Sequence, residues 1–486
     1  MIRVKNLAAA IMLSLAPLSF AQMGGMPSQL SQFEEIHMGG AALEEKADLW
    51  SKSAKNLVNS SIDKLLDDPV LRNANWGFVL YDPATKKIVS AYNETEALIP
   101  ASTTKLLTTD TALSLLGPDF KWNTQLEYSG QIDEQGVLKG DLYIVGSADP
   151  SLGTGKAGAL TYGSLVNEYI AAMSDLGIKK IEGNLILQNA VFKSSHLRSL
   201  PANVVWMEHN NYYLPVGSTQ NIDPRKEKLT ISKKNPFEQH KQYFYISPYQ
   251  DKLVFADEFE GKPVHTTLPD VPYYLGNTLR TSMIKKGISI SGKVIPRPID
   301  KDPETRKLVM TYTSPSLKDI VYDTNQRSDN ALAESLLRMV GFQKLGSQTL
   351  SSGREVVVKH LDEKGFDTSA LIYMDGSGLS RNHRVTPISQ ALFLADEMSE
   401  PYYQSFFESL PIAGQTGTLK KMFYGAGHGH IFAKTGTLNK VKTLAGYVKT
   451  NSGKTLTFSL LINNYSGSVS QVKSKMEELL DPVVEL

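Results

Sequence analysis

Residues 99–117 read IPASTTKLLTTDTALSLLG, with Ser102 after a Pro-Ala pair and Lys105 three positions later. The apolar residues that follow predict a helix that begins near Ser102 and ends at Gly117. Because residues three apart on a helix share a face, the Ser102 hydroxyl and the Lys105 amine are expected one turn apart. The helix N-terminus favours an alkoxide on Ser102. A partly buried Lys105 near a second cation would have a lowered pKa and could act as its base.

The Ser-x-x-Lys spacing has little specificity on its own, since three other pairs fit it: Ser61/Lys64, Ser282/Lys285 and Ser470/Lys473. None of these pairs follows a Pro-Ala pair and precedes an apolar helix. We therefore interpret them as surface helix or loop pairs.

The tetrapeptide TGTL occurs twice, at Thr416–Leu419 and at Thr435–Leu438. The second copy lies in a predicted strand directly after Lys434, and two further strands follow it, whereas the first copy predicts a loop. A strand holds a cation, a hydroxyl and a backbone N–H at fixed spacing, and Gly436 allows another chain to approach closely. The second copy is therefore predicted to carry the chemistry.

A Ser-x-Asn triplet also occurs twice, at 328–330 (SDN) and at 380–382 (SRN). The first precedes an amphipathic helix, as a rigidly held loop triplet should, and the second lies in a turn-rich segment that we interpret as structural or as lining the cleft. His428 and His430 are two residues apart, but no third ligand has metal-site spacing, so no metal site is predicted.

The ordered set SxxK, SDN and KTG resembles the penicillin-binding and serine β-lactamase superfamily. The long separation of the first two motifs resembles the class C low-molecular-mass penicillin-binding proteins, the D-Ala-D-Ala carboxypeptidase/endopeptidase family. The resemblance runs from about Trp76 to Tyr465 and includes GDLYIVGSADPSL, SDNALAESLL, DGSGLSR and AGQTGTL. The first TGTL copy matches a family loop that commonly ends in Gly-Thr-Leu, so no duplication is needed.

The resemblance implies acyl transfer, without a cofactor, at the D-Ala-D-Ala end or the crosslink of peptidoglycan stem peptides. It makes Ser102 the nucleophile and Lys105 its general base. Ser328 would relay a proton to the leaving amine, and Asn330 would hydrogen-bond the substrate amide. β-Lactam antibiotics would be covalent inhibitors.

The same resemblance places substrate binding on the KTG strand. Lys434 would bind the substrate carboxylate and help to lower the pKa of Lys105. Thr435 and Thr437 would hold the same carboxylate, with Gly436 between them in the binding strand. The backbone N–H groups of Ser102 and Thr437 would form the oxyanion hole.

The predicted fold class is multidomain α+β: a β-lactamase/transpeptidase-like domain with an antiparallel sheet flanked by helices, interrupted by β-rich insertions. The sheet is expected to be built from both ends of the chain. The catalytic domain is assigned to residues 41–121 and 276–486, and the insertion, interpreted as two small domains without an internal repeat, to 122–275.

The chain starts with two cations, an apolar run to about Leu18 and Ser19-Phe20-Ala21, which is the layout of a secretory signal. Residues 1–21 are thus a predicted signal peptide, cleaved after Ala21, and 22–40 a flexible leader, which makes the enzyme periplasmic. With 486 residues, a net charge of +1 and no cysteine, the sequence favours neither nucleic-acid binding nor a thiol nucleophile. No transmembrane segment is predicted in the mature chain, and the acidic terminal helix allows only weak membrane contact.

Three alternatives stay open at this point: a β-lactamase, an esterase on the same fold, and a catalytically idle cell-wall binding protein. Substrate preference is also open, because Gln188-Asn189 stands where the family often has an acidic residue. The oligomeric state is not predicted.

Overall fold

The computed structural model describes residues 40–189, 271–298 and 304–486, together with the backbone of four short strands between 204 and 255. Residues 49–486 form one compact unit. The signal peptide, its cleavage site and all of the leader but residue 40 lie outside the described residues.

The helices of the described part are α1 (Gly40–Asp67), α2 (Thr104–Leu116), α3 (Tyr162–Asp175), α4 (Val271–Lys285), α5 (Leu317–Gln326), α6 (Asn330–Leu345), α7 (Leu350–Glu363), α8 (Pro387–Glu397), α9 (Tyr403–Glu408) and α10 (Val469–Leu480). Within these residues, no helix has both the length and the apolar character that a membrane crossing requires.

The strands are β1 (Asn75–Asp82), β2 (Lys87–Tyr92), β3 (Asn123–Ser129), β4 (Gln131–Ile132), β5 (Val137–Lys139), β6 (Leu142–Val145), β7 (Lys180–Ile181), β8 (Leu185–Asn189), β9 (Val204–Met207), β10 (Tyr212–Pro215), β11 (Tyr243–Tyr245), β12 (Leu253–Phe255), β13 (Ser289–Ile290), β14 (Val294–Pro298), β15 (Arg306–Thr313), β16 (Ile431–Leu438), β17 (Val441–Lys449) and β18 (Thr455–Asn463). β9 pairs with β10 and β11 with β12, each as an antiparallel pair.

The main sheet is antiparallel, with the order β16-β17-β18-β1-β2. β18 and β17 are central and buried on both faces, because their alternating side chains enter two different cores. Leu461 packs with α2 and α5–α8, whereas Leu460 and Ile462 pack with α1 and α10. The two ends of the chain therefore build one sheet, as the sequence predicts, and β16 is one of its two edge strands.

A second group of sheets has its own core. One sheet has the order β14-β8-β6-β3-β15 and the other β13-β7-β5-β4, and α3 and α4 supply much of the apolar core. The predicted boundary after residue 275 is wrong, since it cuts α4. Residues 276–313 pack with this group because their strand partners precede residue 190. The division of the chain into separate domains stays a prediction.

These sheets contain an internal repeat that we did not expect. Three segments, 136–145, 177–189 and 287–298, each run from a left-handed glycine (φ 76° to 86°) through a short strand and a second glycine to a longer strand. Equivalent strands pair in parallel. The second glycines lie against one another: a Cβ on Gly183 would be 2.3 Å from the Gly140 carbonyl oxygen. The interpretation of 122–275 as free of repeats is therefore wrong.

Candidate active site

Ser102 lies in a 3₁₀ turn, Ala101–Thr103, that leads directly into α2. The ammonium of Lys105 is buried one turn later and has three acceptors in reach. Lys105 Nζ lies 3.1 Å from Ser102 Oγ, 2.7 Å from Asn330 Oδ1 and 2.6 Å from the Ser377 carbonyl oxygen. The structure thus brings the predicted nucleophile and base together.

Ser377 is a contact that the sequence analysis missed. It belongs to the DGSGLS segment, whose turn is held by Asp375: this carboxylate accepts from the backbone N–H groups of Gly378 at 2.6 Å and Ser380 at 2.8 Å. Gly378 has a φ of 80°, and a Cβ there would lie 1.9 Å from the Ala101 carbonyl oxygen. The segment therefore packs directly on the turn that carries Ser102. In the sequence, the two glycines of this segment indicate that another part of the chain packs closely against it. They do not indicate that the Ser377 carbonyl oxygen contacts Lys105.

The SDN triplet connects α5 to α6. Ser328 has a φ of 56°, which turns the chain between the two helices. Asp329 caps α6 by accepting from Leu332 N–H at 3.0 Å, and Asn330 is the first residue of that helix. Asp329 also forms an ion pair with Lys156, which belongs to the loop after β6. The SDN triplet is thus held both by the first turn of α6 and by the loop after β6.

The KTG motif lies on the edge strand β16. Lys434 is fully buried, and its Nζ donates to Ser328 Oγ at 2.8 Å and to the Thr435 carbonyl oxygen at 2.9 Å. Thr435 Oγ1 donates to Thr418 Oγ1 at 2.7 Å. Thr418 belongs to the first TGTL copy, which forms a 3₁₀ turn, Gly417–Leu419. The first copy therefore supports the second, as a neighbouring element.

The backbone of β16 lies against the Ser102 turn. A Cβ on Gly436 would be 2.9 Å from the Ser102 nitrogen and 2.1 Å from Thr443 Oγ1. At the outer edge of β16, Ala433 N–H donates to the Pro411 carbonyl oxygen. Since backbone groups alternate along a strand, the N–H of Thr437 points to the same outer edge, away from β17. The two expected oxyanion donors are therefore on neighbouring elements.

Burial shapes the electrostatics of both site lysines. It lowers the pKa of Lys105 to about 8, while the carboxylates of Glu334, Asp375 and Asp329 act in the opposite direction. Burial also lowers the pKa of Lys434 well below its ordinary value, and the charge of Lys105 adds to this effect. The lowered pKa of Lys105 has the expected direction. Its cause is burial, and the charged neighbours that act on it are the three carboxylates, which raise it.

Two other expectations concern residues outside this cluster. Gln188 is buried in β8 and accepts a hydrogen bond from Arg306, which indicates a packing role. His430 Nδ1 lies 2.7 Å from the Lys449 carbonyl oxygen. No group of three or more metal-binding side chains is found in the part of the chain that the structure describes.

A serine paired with a buried lysine, at the junction of an antiparallel sheet and a helical lobe, defines an acyl-serine hydrolase with a transpeptidase-like fold. The sequence profile of the D-Ala-D-Ala carboxypeptidase 3 (S13) family matches residues 58–255 and 252–483. The chain belongs to this family.

Similar proteins agree with this assignment. A D-alanyl-D-alanine carboxypeptidase of Actinomadura sp. is 27% identical over 453 residues, covering 84% of this chain and 81% of the relative. The carboxypeptidase DacB of Haemophilus influenzae is 26% identical over 447 residues, covering 84% of this chain and 89% of the relative.

The fold has a solved counterpart. The crystal structure of penicillin binding protein 4 from Haemophilus influenzae superposes with a TM-score of 0.65 at 23% identity, covering 87% of this chain and 99% of that one. The predicted family, the α+β fold class and the class of serine D-Ala-D-Ala carboxypeptidase are confirmed.

Proposed function

We propose that this enzyme is exported to the periplasm, forms an acyl-enzyme on Ser102 with D-Ala-D-Ala stem peptides and crosslinks of peptidoglycan, and is inhibited covalently by β-lactams. The observation that carries the proposal is the set of contacts around Lys105. A neutral amine has two N–H donors and one lone pair. Asn330 Oδ1 at 2.7 Å and the Ser377 carbonyl oxygen at 2.6 Å engage both donors. The lone pair is then left to accept the proton of the Ser102 hydroxyl.

The reaction follows from these positions. Ser102 Oγ attacks the carbonyl carbon of the penultimate D-Ala while its proton passes to Lys105 Nζ. The backbone N–H groups of Ser102 and Thr437 stabilise the oxyanion, and one such donor contributes roughly 3 kcal/mol to transition-state stabilisation. Ser328 then relays to the departing amine the proton that Lys105 has taken up, so that Lys105 returns to its neutral form. Water hydrolyses the ester, which releases the shortened peptide and restores Ser102.

The cationic strand supports binding of the leaving residue. Lys434, Thr435 and Thr437 would hold its carboxylate, and Asn330 would bind a substrate amide. This arrangement suits both a terminal D-Ala and the D-centre of a crosslinked diamino acid, each of which carries a carboxylate next to the scissile amide. The buried Gln188 supplies no acidic group for recognising the diamino side chain.

The experiment is digestion of purified muropeptides by the wild-type enzyme and by Ser102→Ala, with separation of the products by mass. We expect D-Ala release from pentapeptides and cleavage of crosslinked dimers, both absent in the variant and both blocked by benzylpenicillin. The relative rates of the two products give the balance of carboxypeptidase and endopeptidase activity. Equal digestion by wild type and variant would overturn the role of Ser102.

The pKa of Lys105 predicts a pH dependence of acylation. Because the base must be neutral and its pKa is about 8, the second-order rate of acylation by benzylpenicillin should rise from pH 6, reach half of its maximum near pH 8 and level off above about pH 9. Stopped-flow measurement of acylation across pH 6–10 checks this. A rate that is flat, or that falls with increasing pH over pH 6–8, would contradict it.

The ion pair between Lys156 and Asp329 predicts a role for the loop after β6. Lys156→Met should lower acylation about tenfold, since losing a charged hydrogen bond costs about 1.5–3 kcal/mol and the SDN turn would lose one of its supports. The matched control is Lys139→Met, whose ion pair with Asp133 is more exposed to solvent and belongs to another turn. Equal rates for both variants would contradict the prediction.

A further inference from the structure

Lys442 is a buried lysine that the mechanism above does not use. It lies on β17 opposite Thr437 of β16, and only 4% of the residue is exposed. Its Nζ donates to Thr437 Oγ1 at 2.6 Å. Among the described residues, no carboxylate lies within ion-pair distance of this ammonium, whereas the partly exposed Lys475 on α10 has two, Asp68 and Glu478.

A buried cation without a counter-charge is costly, because burial removes its hydration and no anion replaces it. Burial lowers the pKa of Lys442 to about 8, with a further contribution from the positive charge of Lys473 on α10. Lys442 is still mainly protonated at neutral pH. Its charge also acts on Lys434, whose pKa it helps to lower. Three buried lysines thus lie on the KTG strand or beside it: Lys105, Lys434 and Lys442.

The hydrogen bond to Thr437 has a directional consequence. A hydroxyl has one hydrogen and two acceptor lone pairs, whereas an ammonium can only donate. Lys442 therefore occupies a lone pair of Thr437 Oγ1 and leaves the hydroxyl hydrogen to point elsewhere. Thr437 is exposed at the end of the edge strand, so this hydrogen is available to a ligand.

We propose that Lys442 is a specificity-determining residue that acts through Thr437, by supplying the second positive charge of the carboxylate-binding site and turning the Thr437 hydroxyl towards the substrate carboxylate. The proposal rests on the proposed function and deepens it. Lys434 already donates to Ser328 Oγ and the Thr435 carbonyl oxygen, which leaves one of its three donors for a ligand. Lys442 explains how an anionic leaving group is preferred over a neutral one of the same shape.

The test compares two benzoyl-D-alanyl thioesters, one ending in a free carboxylate and the other in its methyl ester. Thioesters are reactive enough for both to be turned over, so the ratio of their kcat/KM values measures carboxylate recognition. Lys442→Met should lower kcat/KM for the acid by about ten- to thirtyfold, chiefly through KM, and for the ester by less than threefold. Lys442→Arg should recover at least half of the loss on a logarithmic scale. The control is Lys440→Met, an exposed lysine in the turn between β16 and β17, which should leave the ratio unchanged.

An equal loss on both thioesters would show that Lys442 only supports the fold, and no loss on either would show that it is dispensable; each result overturns the proposal. Thermal unfolding of each variant shows whether an equal loss of kcat/KM on both thioesters comes from a less stable protein. Failure of the proposed function is distinguishable, since Ser102→Ala would then still hydrolyse the muropeptides whatever the thioester ratio.

Discussion

Replacing Lys105 with methionine is expected to lower the rate of Ser102 acylation by about two to four orders of magnitude, the range that a positioned general base contributes. Methionine keeps most of the buried volume but has no lone pair that can take the Ser102 proton. Lys105 Nζ is also the point where α2, α6 and the DGSGLS segment meet. The measurement is the second-order rate of acylation by benzylpenicillin.

The chain offers a matched control in a competing Ser-x-x-Lys pair. Lys285→Met removes an exposed lysine three residues after Ser282 and should leave acylation unchanged. Because Lys105 is buried, thermal unfolding must show that Lys105→Met is folded. A folded Lys105→Met that is acylated within threefold of the wild-type rate would remove Lys105 from the mechanism.

The second large effect concerns stability. A network of buried charged side chains surrounds Asp110, in the middle of α2. Lys364 Nζ lies 3.1 Å from Asp110 Oδ1 and also contacts the buried Glu397. The hydroxyl of Tyr402 donates to Asp110 at 2.7 Å. Burial opposes the charge of Lys364, but the two carboxylates raise its pKa overall. Lys364 is therefore the cation that the two enclosed acids share, and His360 Nε2, 3.0 Å from Asp110 Oδ2, is a further partner of Asp110.

Lys364→Met should lower the free energy of unfolding by about 3–5 kcal/mol, because it leaves an uncompensated buried charge. Urea unfolding followed by circular dichroism measures the change. The control is Lys359→Met on the exposed face of α7, the helix that Lys364 follows directly. Its pair with Glu363 is largely in solvent and should contribute less than about 1 kcal/mol. Adding Glu397→Gln to Lys364→Met should recover part of the loss.

A loss below about 1 kcal/mol for Lys364→Met would mean that the enclosed acids find another neutralising proton or partner. The raised pKa of Glu397, which has burial as its largest cause and the charge of Asp110 as the next, makes that carboxylate the group to protonate. The double variant shows whether Glu397 becomes protonated. If Glu397 is neutral in Lys364→Met, adding Glu397→Gln should not change the free energy of unfolding.

The three motifs could be predicted from sequence because each is contiguous and its chemistry depends on short spacing. Ser102 and Lys105 are one helical turn apart, and Lys434 to Thr437 follow one strand. Ser377 could not be predicted in the same way, because it acts through a carbonyl that any residue could supply. Lys442 resembles any polar strand residue until the pairing of β16 with β17 places it opposite Thr437.

The main sheet was predictable from long runs of strand-forming residues near both chain ends. The inserted sheets were harder, because β7 and β13 have only two residues each and carry little periodic signal. Their repeat consists of spaced glycines and apolar residues rather than shared letters. The helix α4 crosses the predicted boundary at 275 because two of its partners, α3 and β8, lie about a hundred residues earlier in the chain, and no local sequence pattern indicates such a contact.

Labelling with fluorescent penicillin tests whether Ser102 is the acylated nucleophile. The purified enzyme and Ser102→Ala are incubated with the label, separated by electrophoresis, digested and analysed by mass spectrometry. We predict one stable adduct per chain on the peptide that contains Ser102, and none on the variant. Rapid penicillin hydrolysis without a lasting adduct would favour a β-lactamase. An adduct on another residue, or no adduct and no hydrolysis by the wild type, would contradict the account.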